Sequence, residues 1–173
     1  MMPDTRKPSL ESLEILGSGI ASSDRIAAML ENAQMFRDIE WAQIKTLSGY
    51  LQLYRAAPGA ILFHEGEKGD FMCIVLEGRL EIRKENSLHV DKTVTAVFPG
   101  RSLGEMTMVD GEPRSATAVV IDPSILAVLT QENLLLIMRD KPALAAKLLF
   151  KIARLLSQRL RLTSGILVDY LES

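Results

Sequence analysis

The feature that most constrains this chain is a series of seven turn signals crowded into residues 58–111. Glycine, proline and asparagine at such close spacing permit tight turns and prevent a long helix. Short β-rich runs lie between and after them, at 60–63, 71–76, 79–84, 93–98, 115–121 and 125–129. The signals are Pro58-Gly59, Glu65-Gly66, Lys68-Gly69-Asp70, Glu77-Gly78, Glu85-Asn86, Pro99-Gly100 and Asp110-Gly111. Many short antiparallel strands in succession favour a closed double sheet or barrel, because closure leaves few exposed edges.

Helical patterns precede the strands. Residues 1–22 are polar and predict a weakly held N-terminal arm, with at most a short helix over 10–16. Residues 23–52 predict N-terminal helices, and the strands then occupy 53–129. The first helix is predicted over 25–32, with Ser23 or Asp24 as its cap. The second is predicted to begin at Asp38.

Helical patterns also follow the strands, across residues 130–173. A short helix ends near Met138, and Pro142 suits the first position of a long helix that reaches about Tyr170. Residues spaced by threes and fours form a seam on this helix: Ala145, Leu149, Ile152, Leu156, Leu160, Thr163, Leu167 and Tyr170. The seam predicts a homodimer through the C-terminal helix, although the same face could pack on the strands instead.

Composition limits the partners and the compartment. Twenty Lys plus Arg against 22 Asp plus Glu give a net charge of −2, so no direct nucleic-acid binding is predicted. No run approaches the ~18 apolar residues of a membrane span, and the N-terminus lacks a secretion signal. One cysteine and two histidines argue against a disulfide or a metal cluster. We therefore expect a cytoplasmic protein with no metal and no cofactor.

One segment, 100–118, breaks the β pattern and carries the chemistry. It allows a turn of helix after Gly104, and the start of a helix suits a phosphate because its N–H groups are unpaired. Arg114 offers a planar fork of donors to phosphate oxygens. Glu105, as an acceptor, can take the proton of a sugar hydroxyl. Together these groups imply a nucleotide with a free 2′-hydroxyl.

The same segment resembles a known family. Gly104-Glu105-Met106-Thr107 and Pro113-Arg114-Ser115-Ala116-Thr117 resemble the phosphate-binding cassette of cyclic-nucleotide-binding domains, found in bacterial catabolite activators and regulatory subunits of protein kinase A. The turn glycines also match those of the family, and the resemblance spans about 27–171. It implies an α+β, mainly β fold: a double-stranded β-helix, or jelly-roll-like β-roll, flanked by N-terminal helices and a long C-terminal helix.

The resemblance also implies roles for residues in the cassette. Glu105 would take the ribose 2′-hydroxyl and Arg114 the cyclic phosphate, with Ser115 adding its hydroxyl or N–H. Gly104 and Thr107 would give backbone contacts, and Met106 and Ala116 complete the predicted ligand-binding set. Two residues depart from the family pattern, Leu103 for an aromatic and Thr107 for a smaller residue. Neither change removes a charged contact.

The base is expected to meet the C-terminal helix. The stretch 159–164 resembles the helix of the catabolite activator in which a Thr-Ser pair meets adenine. Thr163 is thus the candidate for the adenine amino group, and Ser164 for a ligand held by a partner subunit. A hydroxyl at Ser115 also suits the guanine amino group. Cyclic AMP (cAMP) is favoured over cyclic GMP (cGMP).

The sequence therefore predicts a regulatory sensor module that acts on a separate, unidentified effector protein. No nucleophile–base set indicates an enzyme. One alternative is the ligand domain of a transcription regulator without its DNA-binding part, and another is a degenerate protein-interaction module of the same fold. A cupin-type metal enzyme is disfavoured, because His64 has no second ligand at the expected spacing.

Overall fold

The computed structural model describes residues 9–171 as a seven-stranded antiparallel sheet with helices at both ends. The strands are β1 (Glu14–Ser18), β2 (Gln52–Ala56), β3 (Ile61–Phe63), β4 (Phe71–Glu85), β5 (Asp91–Val97), β6 (Ser102–Leu103) and β7 (Thr117–Thr130). The helices are α1 (Ser23–Leu30), α2 (Trp41–Ser48), α3 (Glu105–Asp110), α4 (Gln131–Asp140) and α5 (Pro142–Leu171). The order β1-β2-β7-β4-β5, with β3 on β7 and β6 on β4, confirms the predicted β-roll.

The two long strands β4 and β7 separate two hydrophobic cores. Because neighbouring side chains of a strand point to opposite faces, alternate residues of β4 enter different cores. Met72 and Ile74 pack against the helices, whereas Phe71, Cys73 and Val75 fill the inside of the roll. One face of β4 therefore packs inside the roll and the other packs against the helices, with Cys73 on the inner face.

The long strands differ from the prediction. Residues 71–76 and 79–84 were expected as two strands with a turn at Glu77-Gly78, but β4 is continuous. Gly78 has φ +88°, and the pairing of β4 with β7 shifts register around it, so the glycine forms a bulge and not a turn. Pro123 lies within β7, near the same register shifts, where a missing N–H is tolerated.

The N-terminal region also differs from the prediction. The short helix expected over 10–16 is wrong in its second half: a 3-10 turn covers Ser9–Ser12, but residues from Glu14 onward form β1 and pair with β2. A helix that short is hard to nucleate, whereas β1 satisfies the free edge of β2. Asp38 does not cap α2, because that helix begins at Trp41 with Glu40 at its N-cap; the Asp38 carboxylate instead accepts a hydrogen bond from Lys151 Nζ at 2.8 Å. Residues 1–8 of the expected arm lie outside the described residues.

The long C-terminal helix forms as predicted, from Pro142 to Leu171. Its first half is buried through Leu144, Ala145, Leu148 and Ile152, which pack with the helical core. Its second half leaves the body of the domain, so that Leu160 and Leu167 of the predicted seam are 68% and 55% exposed. Within residues 9–171, no helix combines the length and the apolar character needed to cross a membrane.

Candidate functional site

The segment of residues 102–114, called the cassette below, is fixed at both ends by backbone contacts. At its start, β6 pairs with β4 at Cys73 and Ile74. At its end, the Arg114 N–H donates to the carbonyl of Glu67 at 2.7 Å, and the Arg114 carbonyl accepts from the Gly66 N–H at 2.8 Å. Both anchors are non-local, so the cassette has a defined position over one end of the roll.

Arg114 points into the roll and is only 3% exposed. Its Nη1 donates to the Gly104 carbonyl at 3.0 Å and its Nη2 to the Phe71 carbonyl at 2.7 Å. The guanidinium carbon lies 4.2 Å from the ring centre of Phe63 and 4.5 Å from that of Phe71, in cation–π geometry. Burial lowers the pKa of Arg114, although a guanidinium remains protonated in proteins. The roll therefore holds a buried positive charge.

Two glycines make the space that the guanidinium occupies. A Cβ atom at Gly69 would lie 2.3 Å from Arg114 Nε, and one at Gly104 would lie 2.7 Å from Arg114 Nη1. Gly104 also has φ +80°, a left-handed conformation that turns the chain from β6 into α3. Any side chain at either position would displace Arg114.

Glu105 is the first residue of α3 and is 1% exposed. Its Oε1 accepts a hydrogen bond from Arg159 Nη1, and Arg159 Nη2 donates to the Ser102 carbonyl at 2.6 Å. Arg159 lies on α5, so this pair ties the C-terminal helix to both ends of the turn that precedes α3. The sequence did not predict the role of Arg159. The sequence feature that could have indicated this role is the position of Arg159, one helical turn before Thr163 on α5.

Buried polar atoms without a partner concentrate in the cassette. Among the described residues, three buried side-chain nitrogen or oxygen atoms have no hydrogen-bond partner: Ser102 Oγ, Glu105 Oε2 and Arg114 Nε. Each such atom costs about 1–3 kcal/mol, which is why native proteins rarely retain one without a reason. One free donor and one free carboxylate oxygen in a single segment suit a ligand that both accepts and donates hydrogen bonds.

The remaining predicted residues fall into two groups. In the cassette region, Thr107 is buried, Ala116 is half-buried and Met106 is partly exposed, with its sulfur accepting from Ser115 Oγ at 3.6 Å. On α5, Thr163 and Ser164 are exposed, and Ser164 Oγ donates to the carbonyl of Leu160 at 2.8 Å. The structure thus brings Gly104, Glu105 and Arg114 together but leaves Thr163 and Ser164 outside this buried cluster.

Two surface cavities, of about 240 and 620 Å³, are lined by residues other than Glu105 and Arg114. Within the part of the chain that the structure describes, no three His, Cys, Asp or Glu side chains are grouped so that they could hold a metal ion. Burial raises the pKa of the Cys73 thiol, beneath the cassette, to about 12. The thiol therefore stays protonated and unreactive at neutral pH.

The fold and the cassette together define a small-molecule-binding domain built on a β-roll. The chain belongs to the cyclic nucleotide-binding domain family, whose model matches residues 54–141, just over half of the chain. This result confirms the resemblance seen in the sequence.

Individual proteins support the same assignment. A CRP-like cAMP-activated global transcriptional regulator of Mycobacterium tuberculosis is 28% identical over 141 residues, which are 82% of this chain and 61% of that protein. A cAMP-dependent protein kinase regulatory subunit of Blastocladiella emersonii is 26% identical over 141 residues, 79% of this chain and 35% of that protein. The crystal structure of a cyclic nucleotide-binding domain from Methylobacillus flagellatus superposes with a TM-score of 0.82 at 28% identity, covering 95% and 93% of the two chains.

The lengths of these matches limit what they imply. The chain spans about three fifths of the bacterial regulator and about a third of the kinase subunit. By contrast, it covers nearly all of the isolated Methylobacillus domain. The shared part is the cyclic nucleotide-binding domain, and both full-length relatives are regulators.

Proposed function

We propose that this chain is a sensor module that binds cAMP, and cGMP more weakly, and passes the signal to a separate effector chain. One observation carries the proposal. In a domain of the cyclic nucleotide-binding family, Glu105 Oε2 and Arg114 Nε are buried in one segment and have no hydrogen-bond partner among the described residues. A cyclic nucleotide supplies a phosphate oxygen as the acceptor for Arg114 Nε and a ribose hydroxyl as the donor for Glu105 Oε2.

Arg114 is the proposed phosphate ligand. Its guanidinium now donates to two neutral backbone carbonyls, those of Gly104 and Phe71, and retains a free Nε–H. A phosphate anion is a better acceptor than a carbonyl, because charge-assisted hydrogen bonds are roughly twice as strong as neutral ones. We therefore expect the guanidinium to exchange at least one carbonyl for a phosphate oxygen when the nucleotide binds. Ser115, exposed beside the cassette, is the proposed second phosphate contact.

Glu105 is the proposed ribose ligand. Arg159 holds its Oε1, which leaves Oε2 to accept the proton of the 2′-hydroxyl. The guanidinium of Arg159 also offsets the repulsion between this carboxylate and a nearby phosphate. Arg159 is in our account a positioning residue, which orients Glu105 and does not touch the ligand.

The base contact and the dimer are proposed together. Thr163 and Ser164 are exposed on the half of α5 that leaves the domain, next to the apolar residues Leu160 and Leu167. A second copy of the chain that packs along this helix would bury the apolar seam. It would also carry Thr163 and Ser164 toward the adenine of a nucleotide bound in the cassette.

The signal is proposed to be a shift between conformations. Because Arg159 connects Glu105 to α5, a ligand that changes the hydrogen bonds of Glu105 also changes how firmly α5 is held on the roll. The names of both relatives associate cAMP with regulation, of transcription in one case and of a protein kinase in the other. Either context is compatible with a module of this kind. The degenerate protein-interaction module is disfavoured, because it would keep the cost of the unpaired buried atoms without a ligand.

Isothermal titration calorimetry with cAMP and cGMP tests the proposal, with 5′-AMP as the matched control. We expect cAMP to bind with a micromolar Kd, which corresponds to a binding free energy of about −8 kcal/mol, and cGMP to bind more weakly. The open 5′-AMP lacks the ring phosphodiester and should give no detectable heat. If neither cyclic nucleotide binds at millimolar concentration, the sensor function is rejected and the protein-interaction module becomes the better account.

A further inference from the structure

The smaller of the two surface cavities lies between residues 34–38, residues 100–102 at the start of the cassette, and α5. It has a volume of about 240 Å³. Its lining comes from three parts of the chain: Arg37 and Asp38 from the N-terminal region, Arg101 and Ser102 from the start of the cassette, and Lys151 and Arg154 from α5. None of the residues 103–117, which include Glu105 and Arg114, lines it. The cavity therefore shares Ser102 with the cassette but excludes both proposed nucleotide ligands, Glu105 and Arg114.

The cavity is strongly positive although the chain is not. Four cationic side chains against one carboxylate leave a formal excess of three positive charges, on a chain whose net charge is −2. The carboxylate, Asp38, is already bound to Lys151 at 2.8 Å, and its pKa is lowered by Lys151, Arg154 and Arg37. Arg154 and Arg37 act on Asp38 only through longer-range charge attraction, while Lys151 is the residue that donates a hydrogen bond to it. One carboxylate cannot balance four cations, so the cavity keeps an excess of positive charge for an anion.

A second observation concerns a buried residue in the wall of the same cavity. Ser102 is only 1% exposed, lines the cavity, and its hydroxyl is one of the three buried atoms without a hydrogen-bond partner. The carbonyl of the same residue accepts from Arg159. A hydroxyl together with several guanidinium groups is the donor set that binds tetrahedral oxyanions.

We propose that this cavity binds an oxyanion of the phosphate class, either inorganic phosphate or the terminal phosphate of a small molecule. Arg37, Arg101 and Arg154 supply the charge, and Ser102 supplies a buried hydroxyl. The bound anion bridges the loop at 100–102 to α5. It therefore holds the helix that carries Arg159 against the cassette.

Calorimetric titration of the full chain with inorganic phosphate tests the site. The buffer contains no phosphate, and chloride at equal ionic strength is the reference. We expect saturable binding to the wild type and at least about tenfold weaker binding to the double variant Arg101→Gln/Arg154→Gln. The two arginines are exposed, so the variant should fold normally. Arg161→Gln, an exposed arginine on α5 that does not line the cavity, should bind phosphate as the wild type does.

The variant Arg114→Leu separates this site from the nucleotide site. If phosphate binds where we propose, Arg114→Leu retains phosphate binding even though it loses cAMP. If phosphate binding is lost in Arg114→Leu and kept in Arg101→Gln/Arg154→Gln, the anion belongs to the cassette and the second site is rejected. Absence of saturable phosphate binding to the wild type also rejects it. Failure of cAMP to bind would leave these phosphate results unchanged, so the two proposals fail separately.

Ser102→Ala tests the buried hydroxyl. Removal of an unpaired buried hydroxyl should not lower the melting temperature, whereas loss of a donor to the anion should weaken phosphate binding about threefold or more. Unchanged phosphate affinity would remove Ser102 from the site. A parallel titration with glycerol phosphate distinguishes the sources of the anion, since tighter binding than that of inorganic phosphate indicates a small phosphate ester.

Discussion

The cassette and the second half of α5 depart from the usual placement of polar and apolar side chains in opposite directions. In the cassette, Glu105 and Arg114 are almost completely buried, and each keeps an unpaired polar atom. On α5, Leu160 and Leu167 are largely exposed, on the half of the helix that contacts the cassette through Arg159. Both arrangements cost free energy in an isolated chain.

The difference indicates what each region binds. Unpaired atoms deep in a small segment can be satisfied by a few polar groups, so the cassette suits a small ligand. An apolar stripe along a helix can be buried only by another extended surface, so α5 suits a protein partner. Arg159 joins the two regions, because it lies on α5 and binds Glu105 in the cassette. Variants that affect one region and not the other test this division.

The largest effect is expected from Arg114→Leu. Loss of the charge-assisted hydrogen bonds to the phosphate, each worth about 1.5–3 kcal/mol, should weaken cAMP binding at least about 100-fold. Calorimetry should detect no cAMP binding, while the molar mass of the protein in solution, and hence its oligomeric state, stays that of the wild type. Arg114→Lys is the matched control and should recover part of the affinity, because lysine keeps the charge but not the fork. Near-normal cAMP affinity in Arg114→Leu would contradict the assignment.

The next effect concerns the seam. The variant Leu160→Gln/Leu167→Gln should weaken a dimer by about 100-fold or more, since each buried leucine contributes about 1.5–3 kcal/mol. Light scattering should then show the 19.1 kDa single chain in place of twice that mass. Leu162→Gln is the control, because Leu162 is equally exposed but lies on another face of α5. If the wild-type protein is already a single chain at high concentration, the proposed dimer through the seam is refuted.

A smaller effect is expected at Glu105. Glu105→Gln should weaken cAMP binding about tenfold, and 2′-deoxy-cAMP should bind the wild type about tenfold more weakly than cAMP does. Because both changes remove the same contact, their effects on the affinity should not add. The variant Glu105→Gln should therefore bind 2′-deoxy-cAMP and cAMP about equally well. Additive losses would show that Glu105 and the 2′-hydroxyl do not meet.

The smallest effect is expected from Arg159→Gln. Its side chain is 41% exposed, so its ion pair with Glu105 is screened by solvent. We expect about threefold weaker cAMP binding, with a faster exchange of α5 amide protons that reports a looser helix. Arg161→Gln should change neither quantity. An unchanged amide exchange in Arg159→Gln would show that this residue does not couple the two regions.

The sequence predicts local features of the fold well. The turn glycines, the β-rich runs and the motif residues from Gly104 to Thr117 are local patterns, and the β-roll and the family they predict are confirmed. The bulge at Gly78 was predicted as a turn, because only the pairing with β7 decides between the two. The strand β1 was missed for a similar reason, since its partner β2 lies in another part of the chain.

The internal contacts of the site were also beyond the sequence. The bond from Arg114 to the Phe71 carbonyl joins residues 43 positions apart, and that from Arg159 to Glu105 joins residues 54 positions apart. No local pattern encodes such distances. The cassette residues could therefore be named in advance, whereas the inward position of Arg114 and the contribution of α5 required the structure.

A crystal structure of the chain with cAMP tests the central claim most directly. We expect the Arg114 guanidinium to donate to a phosphate oxygen at about 2.7–2.9 Å and Glu105 Oε2 to accept the 2′-hydroxyl at about 2.5–2.7 Å. Both unpaired atoms would then have partners. A structure in which Arg114 stays on the Gly104 and Phe71 carbonyls, with the nucleotide bound away from the cassette, would contradict the account.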